Sequence, residues 1–196
     1  MKKILLLGDS IMYGVGRLRG YGAFLREKLE GKASVYLPTE NCQDIRYLRA
    51  YHEELIPALD GEYDVIHWNN GLWDLLHFGG NPMPHTPLEL YTKNLAETAD
   101  ILHGRYPRAS VFFATSTPIL EHVRKGSSYR LNAEIEAYNA AAVETLRGKV
   151  AGFDDLYRFA SSFGDRYRSK DGLHYSEEGA RLLADAVCAF LLKNAF

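Results

Sequence analysis

Apolar residues recur along this chain in two alternating patterns. Short continuous apolar runs are typical of strands that are buried on both faces of a sheet. Longer stretches with an apolar residue every three or four positions are typical of one face of a helix. The runs predict five strands, at 3–7, 33–37, 64–68, 110–115 and 150–153. The periodic stretches predict helices at 21–29, 44–59, 86–105 and 131–146, and a last helix that starts after Ser176.

Two of the predicted helices carry start signals. Thr86 can cap the helix, Pro87 suits its first turn, and Glu89 lies three residues after the cap, as in a capping box. Ser176 is followed by two glutamates, which the positive end of a helix dipole favours. We therefore expect the side chains of Thr86 and Ser176 to cap their helices.

Strand and helix alternate from end to end, which predicts a three-layer α/β/α sandwich around a mainly parallel sheet of about five strands. The length of 196 residues, with 46% hydrophobic and 24% charged residues, suffices for a buried core and favours one domain over residues 1–196. Two segments, 69–85 and 118–128, lack a periodic pattern. Loops of that length are usually functional.

Charge and composition exclude several classes of protein. The net charge of −2 argues against binding of nucleic acid, and no apolar run is long enough to span a membrane. The run at 4–7 is too short for a signal peptide, so we expect a cytoplasmic protein in which Cys42 and Cys188 are reduced thiols. No histidines or cysteines have the spacing of metal ligands, and we expect neither a metal nor another cofactor.

The carboxyl ends of parallel strands meet at one edge of a sheet, where ligands bind. The first predicted strand leads there into Gly8-Asp9-Ser10, and the segment before the last helix contains Asp171-Gly172-Leu173-His174. A serine hydroxyl becomes nucleophilic when a histidine removes its proton and a carboxylate orients that histidine. The residues thus favour nucleophilic acyl transfer by Ser10, His174 and Asp171. The alternative interpretations are that Ser10 only caps a helix and that His174 is a surface residue.

Gly8-Asp9-Ser10 near one end and Asp171-x-x-His174 near the other resemble the SGNH (GDSL) hydrolase family of esterases and lipases, over nearly the whole chain. The resemblance implies a flavodoxin-like fold and a Ser10–His174–Asp171 triad that forms an acyl-enzyme. It also implies an oxyanion hole that includes the Ser10 N–H.

Two motifs of the family are altered here. The family has a glycine after the second strand whose N–H binds the oxyanion, whereas this chain has Asn41-Cys42-Gln43-Asp44. We expect the N–H of Cys42 to serve, with Gln43 as the alternative. The family motif Gly-x-Asn-Asp reads Gly71-Leu72-Trp73-Asp74, so the donor asparagine is missing, and Asn70 is our candidate replacement.

The resemblance implies a small-molecule ester as substrate, and the rim residues Asp9, Trp73 and Asp74 are predicted to bind it. Aromatic rings beside the nucleophile favour a short-chain ester such as an O-acetyl group on a carbohydrate. The alternatives are a thioesterase or lysophospholipase-type acyl hydrolase, and a non-catalytic carbohydrate-binding protein on the same fold. The sequence does not indicate an oligomeric state.

Overall fold

A computed structural model describes residues 1–59, 61–123 and 126–196 of the chain. Positions 124 and 125 of the predicted loop 118–128 therefore lie outside the described residues. In chain order the elements are β1 (Lys2–Leu7), α1 (Ser10–Tyr13), β2 (Gly14–Val15), β3 (Leu18–Arg19), α2 (Tyr21–Lys28), β4 (Ala33–Tyr36), α3 (Ile45–Leu55), β5 (Val65–Trp68), α4 (Leu88–Arg105), β6 (Ser110–Ala114), α5 (Asn132–Leu146), β7 (Gly152–Asp154), α6 (Leu156–Ser161) and α7 (Glu177–Asn194).

Five strands form a parallel sheet in the order β4-β1-β5-β6-β7. β1 lies between β4 and β5, and the side chains of Ile4 to Leu7 are fully buried. A strand that is covered on both faces needs apolar residues at successive positions, which explains the continuous run at this point of the sequence. β2 and β3 form a separate antiparallel hairpin.

Helices cover both faces of the sheet. α2 packs against α7, and α4 packs against both α3 and α5, which gives two helical layers. The apolar faces of these helices join the strands in one core, in which Leu25, Leu95 and Leu183 are fully buried. None of the helices in the described part of the chain has the length and apolar character needed to cross a bilayer.

The predicted architecture is confirmed, and the elements that differ do so for local reasons. The helix predicted over 44–59 ends at Leu55, because Ile56 is extended and Pro57 follows. The predicted cap at Thr86 is wrong: α4 begins at Leu88, and Pro87 occupies the cap position without a side-chain bond. The cap at Ser176 is confirmed, since its hydroxyl accepts a hydrogen bond from the Gly179 N–H at 3.2 Å. The β2–β3 hairpin and α6 were not predicted, because neither segment carries one of the two apolar patterns.

Candidate active site

The turn after β1 places Ser10 at the carboxyl edge of the sheet. Asp9 caps the short helix α1, because its Oδ1 accepts a hydrogen bond from the Ile11 N–H at 2.9 Å. Ser10 is the first residue of that helix and is largely buried. No hydrogen bond from the Ser10 N–H to any described residue is present. The turn thus leaves this backbone donor available beside the hydroxyl.

Ser10, His174 and Asp171 form a continuous hydrogen-bonded chain. The Oγ of Ser10 lies 2.7 Å from Nε2 of His174, and Nδ1 of His174 lies 2.7 Å from Oδ2 of Asp171. A carboxylate only accepts hydrogen bonds, so Nδ1 carries a proton, which leaves Nε2 as the ring atom that can accept the Ser10 hydroxyl. The sequence-predicted residues are thus brought together in the order that a serine nucleophile, a base and an orienting carboxylate require.

The Asp171 carboxylate also organises its own turn. Its Oδ1 accepts hydrogen bonds from the N–H groups of Leu173 and His174, both at 2.9 Å. Burial alone would raise the pKa of Asp171, but the hydrogen bonds from the His174 side chain and from these two N–H groups hold it well below its usual range. Asp171 is therefore ionised throughout the neutral range.

Gly172 is required by the path of this turn. Its φ is +73°, and a Cβ atom at this position would lie 2.7 Å from the Cβ of Val123. The Gly172 carbonyl accepts a hydrogen bond from the Leu120 N–H at 2.8 Å. A residue without a side chain therefore lets the turn that carries Asp171 and His174 pack directly on the loop after β6.

Asp9 lies beneath the site, and its predicted contact with substrate stays a prediction. Its side chain is almost fully buried and caps α1. Burial raises its pKa, against the opposing effects of the Ile11 N–H and of the charges of Arg130 and His174. Asp9 therefore positions Ser10 from beneath the site.

The two backbone N–H groups predicted as oxyanion donors after β4 are bonded within the protein. The Cys42 N–H donates to the Gly8 carbonyl at 3.1 Å, and its predicted role in the oxyanion hole stays a prediction. The Gln43 N–H is also engaged, because it donates to Oδ1 of Asn41 at 2.8 Å. Gln43 has a φ of +50° and is the one non-glycine residue with a positive φ in the described part of the chain. The left-handed conformation therefore occurs at Gln43, in the segment where the family has a glycine.

Asn70 and Asp74 are buried and bonded within the protein. The Nδ2 of Asn70 donates to the Gln43 carbonyl at 2.9 Å, and its Oδ1 accepts from Nε1 of Trp68 at 2.7 Å. The carboxyl oxygens of Asp74 accept hydrogen bonds from the Ile45 N–H at 3.2 and 3.3 Å, which fixes the start of α3. The predicted roles of Asn70 as an oxyanion donor and of Asp74 in substrate binding stay predictions.

Burial raises the pKa of Asp74 from 3.8 to about 8, assisted by the nearby charge of Asp44 and opposed mainly by the Ile45 N–H. Asp74 is therefore protonated at neutral pH. Trp73, which comes directly before it, is half-buried. Its predicted contact with substrate remains a prediction.

A cavity of about 280 Å³ lies beside the Asp171 turn. Its walls among the described residues are largely apolar, with Leu76, Ile119, Leu120, Val123 and Leu173 on the apolar side. The charged residues Arg130, Glu121 and Asp171 also line it. Arg130 was not singled out by the sequence analysis, because a lone arginine before a helix has no distinctive spacing. Its position in the cleft is a tertiary feature.

The remaining histidines near the site have structural contacts. His77 stacks on Tyr129 at 4.4 Å between ring centroids and lies 2.9 Å from Oε2 of Glu134. His85 lies 2.6 Å from the guanidinium of Arg46. Within residues 1–59, 61–123 and 126–196, no three His, Cys, Asp or Glu side chains are grouped as a metal ion would require.

Comparison with known proteins gives consistent matches over the whole chain. The sequence model of the GDSL-like Lipase/Acylhydrolase family matches residues 6–182. The isoamyl acetate-hydrolyzing esterase 1 homolog of Mus musculus is 28% identical over 98% of this chain and 82% of its own length. A GDSL esterase/lipase of Arabidopsis thaliana is 24% identical over 95% of this chain and 84% of its own length.

Solved structures share the same fold. An acetyl xylan esterase, AlAXEase, superposes with a TM-score of 0.74 at 19% identity, over 96% of this chain and 99% of its own. An acetylxylan esterase from Geobacillus stearothermophilus, Axe2, superposes with a TM-score of 0.70 at 19% identity, over 100% of this chain and 94% of its own.

Proposed function

The chain belongs to the GDSL-like lipase/acylhydrolase family and is an ester hydrolase, and we propose that it is a serine esterase that cleaves short-chain carboxylic esters through Ser10, His174 and Asp171. The observation that carries this proposal is the 2.7 Å contact between the Ser10 hydroxyl and Nε2 of His174. A base must lie within hydrogen-bonding distance of the proton that it removes.

The chemistry proceeds in two steps. Nε2 of His174 takes the hydroxyl proton as Oγ of Ser10 attacks the ester carbonyl, and the Ser10 N–H donates to the oxyanion that forms. His174 then protonates the leaving alcohol, which leaves an acyl group on Ser10. Water attacks this acyl-enzyme with His174 again as base, releasing the acid and the free serine. Asp171 holds the Nδ1 proton and stabilises the imidazolium in both steps.

The proposed acyl group is acetate. The mouse relative is named for hydrolysis of isoamyl acetate, and two proteins of the same fold are named acetyl xylan esterases. A cavity of about 280 Å³ is near the lower end of the volumes that ligand pockets have. We therefore propose a small ester, such as an O-acetyl group on a carbohydrate, with the half-buried ring of Trp73 available for stacking on a sugar.

A panel of 4-nitrophenyl esters from acetate to laurate, together with an acetylated xylooligosaccharide, tests this proposal. We expect the highest kcat/KM on acetate and release of acetate from the oligosaccharide. Preference for long chains or for thioesters would instead favour a lysophospholipase or thioesterase activity.

A fluorophosphonate probe followed by peptide mapping tests the nucleophile. We expect one adduct, on Ser10, and loss of about 10⁴-fold or more of kcat in Ser10→Ala. Ser161→Ala, which removes an exposed hydroxyl bonded to the Tyr157 carbonyl, is the matched control and should keep full activity. Absence of any adduct on the wild-type protein would indicate a non-catalytic binding protein.

A further inference from the structure

The guanidinium of Arg130 is half-buried in the cavity beside the Asp171 turn. Its Nε donates a hydrogen bond to the Leu72 carbonyl, and it lines the same cavity as Asp171 and Gly172. Among the described residues, no Asp or Glu oxygen lies within ion-pair distance of it, whereas Arg46 pairs with Asp44. A desolvated cation without a permanent anion is costly, so it points to an anion that is bound there or that forms there.

The charge of Arg130 acts on the residue next to the nucleophile. Burial lowers the pKa of Arg130 to about 10, and the carboxylate of Asp9 opposes that shift. In return, the charge of Arg130 works to lower the pKa of Asp9, which burial raises. The cation therefore lies within electrostatic reach of the Asp9-Ser10 turn, although Asp9 does not form an ion pair with it.

Arg130 is fixed at the segment where the family motif is altered. Leu72, whose carbonyl holds Nε, comes directly before Trp73, and Trp73 stands in place of the donor asparagine. The two groups that the sequence suggested as further donors, the Cys42 N–H and Nδ2 of Asn70, are bonded to backbone carbonyls. Both of these neutral donors are thus already bonded at the point where the cavity gains a cation.

We propose that Arg130 replaces the missing asparagine and that its terminal N–H groups bind the oxyanion of the tetrahedral intermediate together with the Ser10 N–H. This inference rests on the proposed serine mechanism, because the anion that it binds arises only when Ser10 attacks. With Nε held by the Leu72 carbonyl, the guanidinium is pre-organised, and donors that need no rearrangement are the effective ones in a dry site.

The decisive experiment compares Arg130→Gln, Arg130→Lys and the control Arg147→Gln, in which an exposed arginine paired with Glu144 is neutralised. On 4-nitrophenyl acetate we expect Arg130→Gln to lose about 10²–10³-fold in kcat, with KM changed much less, since the interaction exists only in the transition state. Arg130→Lys should recover part of kcat, and Arg147→Gln should match the wild type.

A boronic acid forms a tetrahedral anion on the serine and so resembles the intermediate. Its affinity would not change if Arg130 only supported the fold. Its affinity should fall in parallel with kcat/KM across the three variants. Thermal unfolding shows whether each variant is folded. If Arg130→Gln does not fold, the kcat of Arg130→Lys tests the role of Arg130 instead.

Three outcomes overturn the inference. An Arg130→Gln variant that keeps kcat, or that reacts with the fluorophosphonate as fast as the wild type, refutes it while leaving the serine mechanism intact. A loss confined to an anionic ester, mono-4-nitrophenyl succinate, would make Arg130 a recognition site for a substrate carboxylate. A wild-type protein that is not labelled on Ser10 refutes both the proposed function and this inference.

Discussion

The buried carboxyl of Asp74 should make the stability of this protein depend on pH in a way that one substitution removes. Its folded-state pKa is raised from 3.8 to about 8, because burial disfavours the carboxylate. Between these values the folded protein keeps the proton while the unfolded chain loses it, so unfolding releases a proton. The contribution of Asp74 to stability is therefore greatest at low pH, falls as the pH rises towards 8 and levels off above it.

The size of the effect follows from the two pKa values. Proton linkage gives a loss of about 3.6 kcal/mol between pH 5 and pH 8. For a protein of this size that corresponds to about 7–14 °C in Tm. Asp74→Asn cannot release this proton, and it retains one oxygen that can accept the hydrogen bond from the Ile45 N–H. The difference in stability between wild type and Asp74→Asn should therefore change by about 3.6 kcal/mol across this range.

Urea unfolding at pH 5, 6, 7 and 8 measures this difference directly. Asp165→Asn, which neutralises an exposed carboxylate, is the control and should follow the wild-type curve. Any constant penalty from burying an amide shifts the Asp74→Asn curve without changing its slope. Parallel curves for wild type and Asp74→Asn would refute the assignment of a protonated Asp74 at neutral pH.

Further predictions follow from the site. Asp171→Asn should fold normally and lose about 10⁴-fold in kcat on 4-nitrophenyl acetate, because the base loses its orienting carboxylate; an activity near wild type would contradict the triad. Gly172→Ala should lower the free energy of unfolding by about 1–3 kcal/mol, since φ is +73° and Cβ meets a neighbour, and urea unfolding tests it. The buried Cys42 thiol, its pKa raised by burial to about 12, should react with iodoacetamide at pH 8 far more slowly than the partly exposed Cys188; equal rates by mass spectrometry would contradict this.

The fold and the three residues of the hydrogen-bonded chain, Ser10, His174 and Asp171, could be predicted because their signals are local. Each buried strand is a continuous apolar run, and Ser10 follows the first of them directly. The Asp171 turn is also local, since its carboxylate bonds the N–H and the ring of His174 three residues later. No knowledge of distant contacts was needed to place these groups at the same edge of the sheet.

The hydrogen-bond partners of the candidate oxyanion donors could not be predicted, because these partners come from distant parts of the chain. The Cys42 N–H donates to Gly8, and Asn70 donates to Gln43, in contacts between separate strands and loops. Nothing in the sequence distinguishes a free amide from one that is already bonded to a carbonyl. The position of Arg130 could not be predicted for a related reason, since only the folded chain shows that no described Asp or Glu oxygen lies within ion-pair distance of its guanidinium.

The contact between Ser10 and His174 joins positions 164 residues apart. His174 is translated 164 residues after Ser10, so on the proposed mechanism a growing chain that has not yet reached the Asp171 turn lacks the base and cannot hydrolyse esters. Hydrolysis would begin only when that turn meets the first strand, so activity itself would report that these two distant segments have come together.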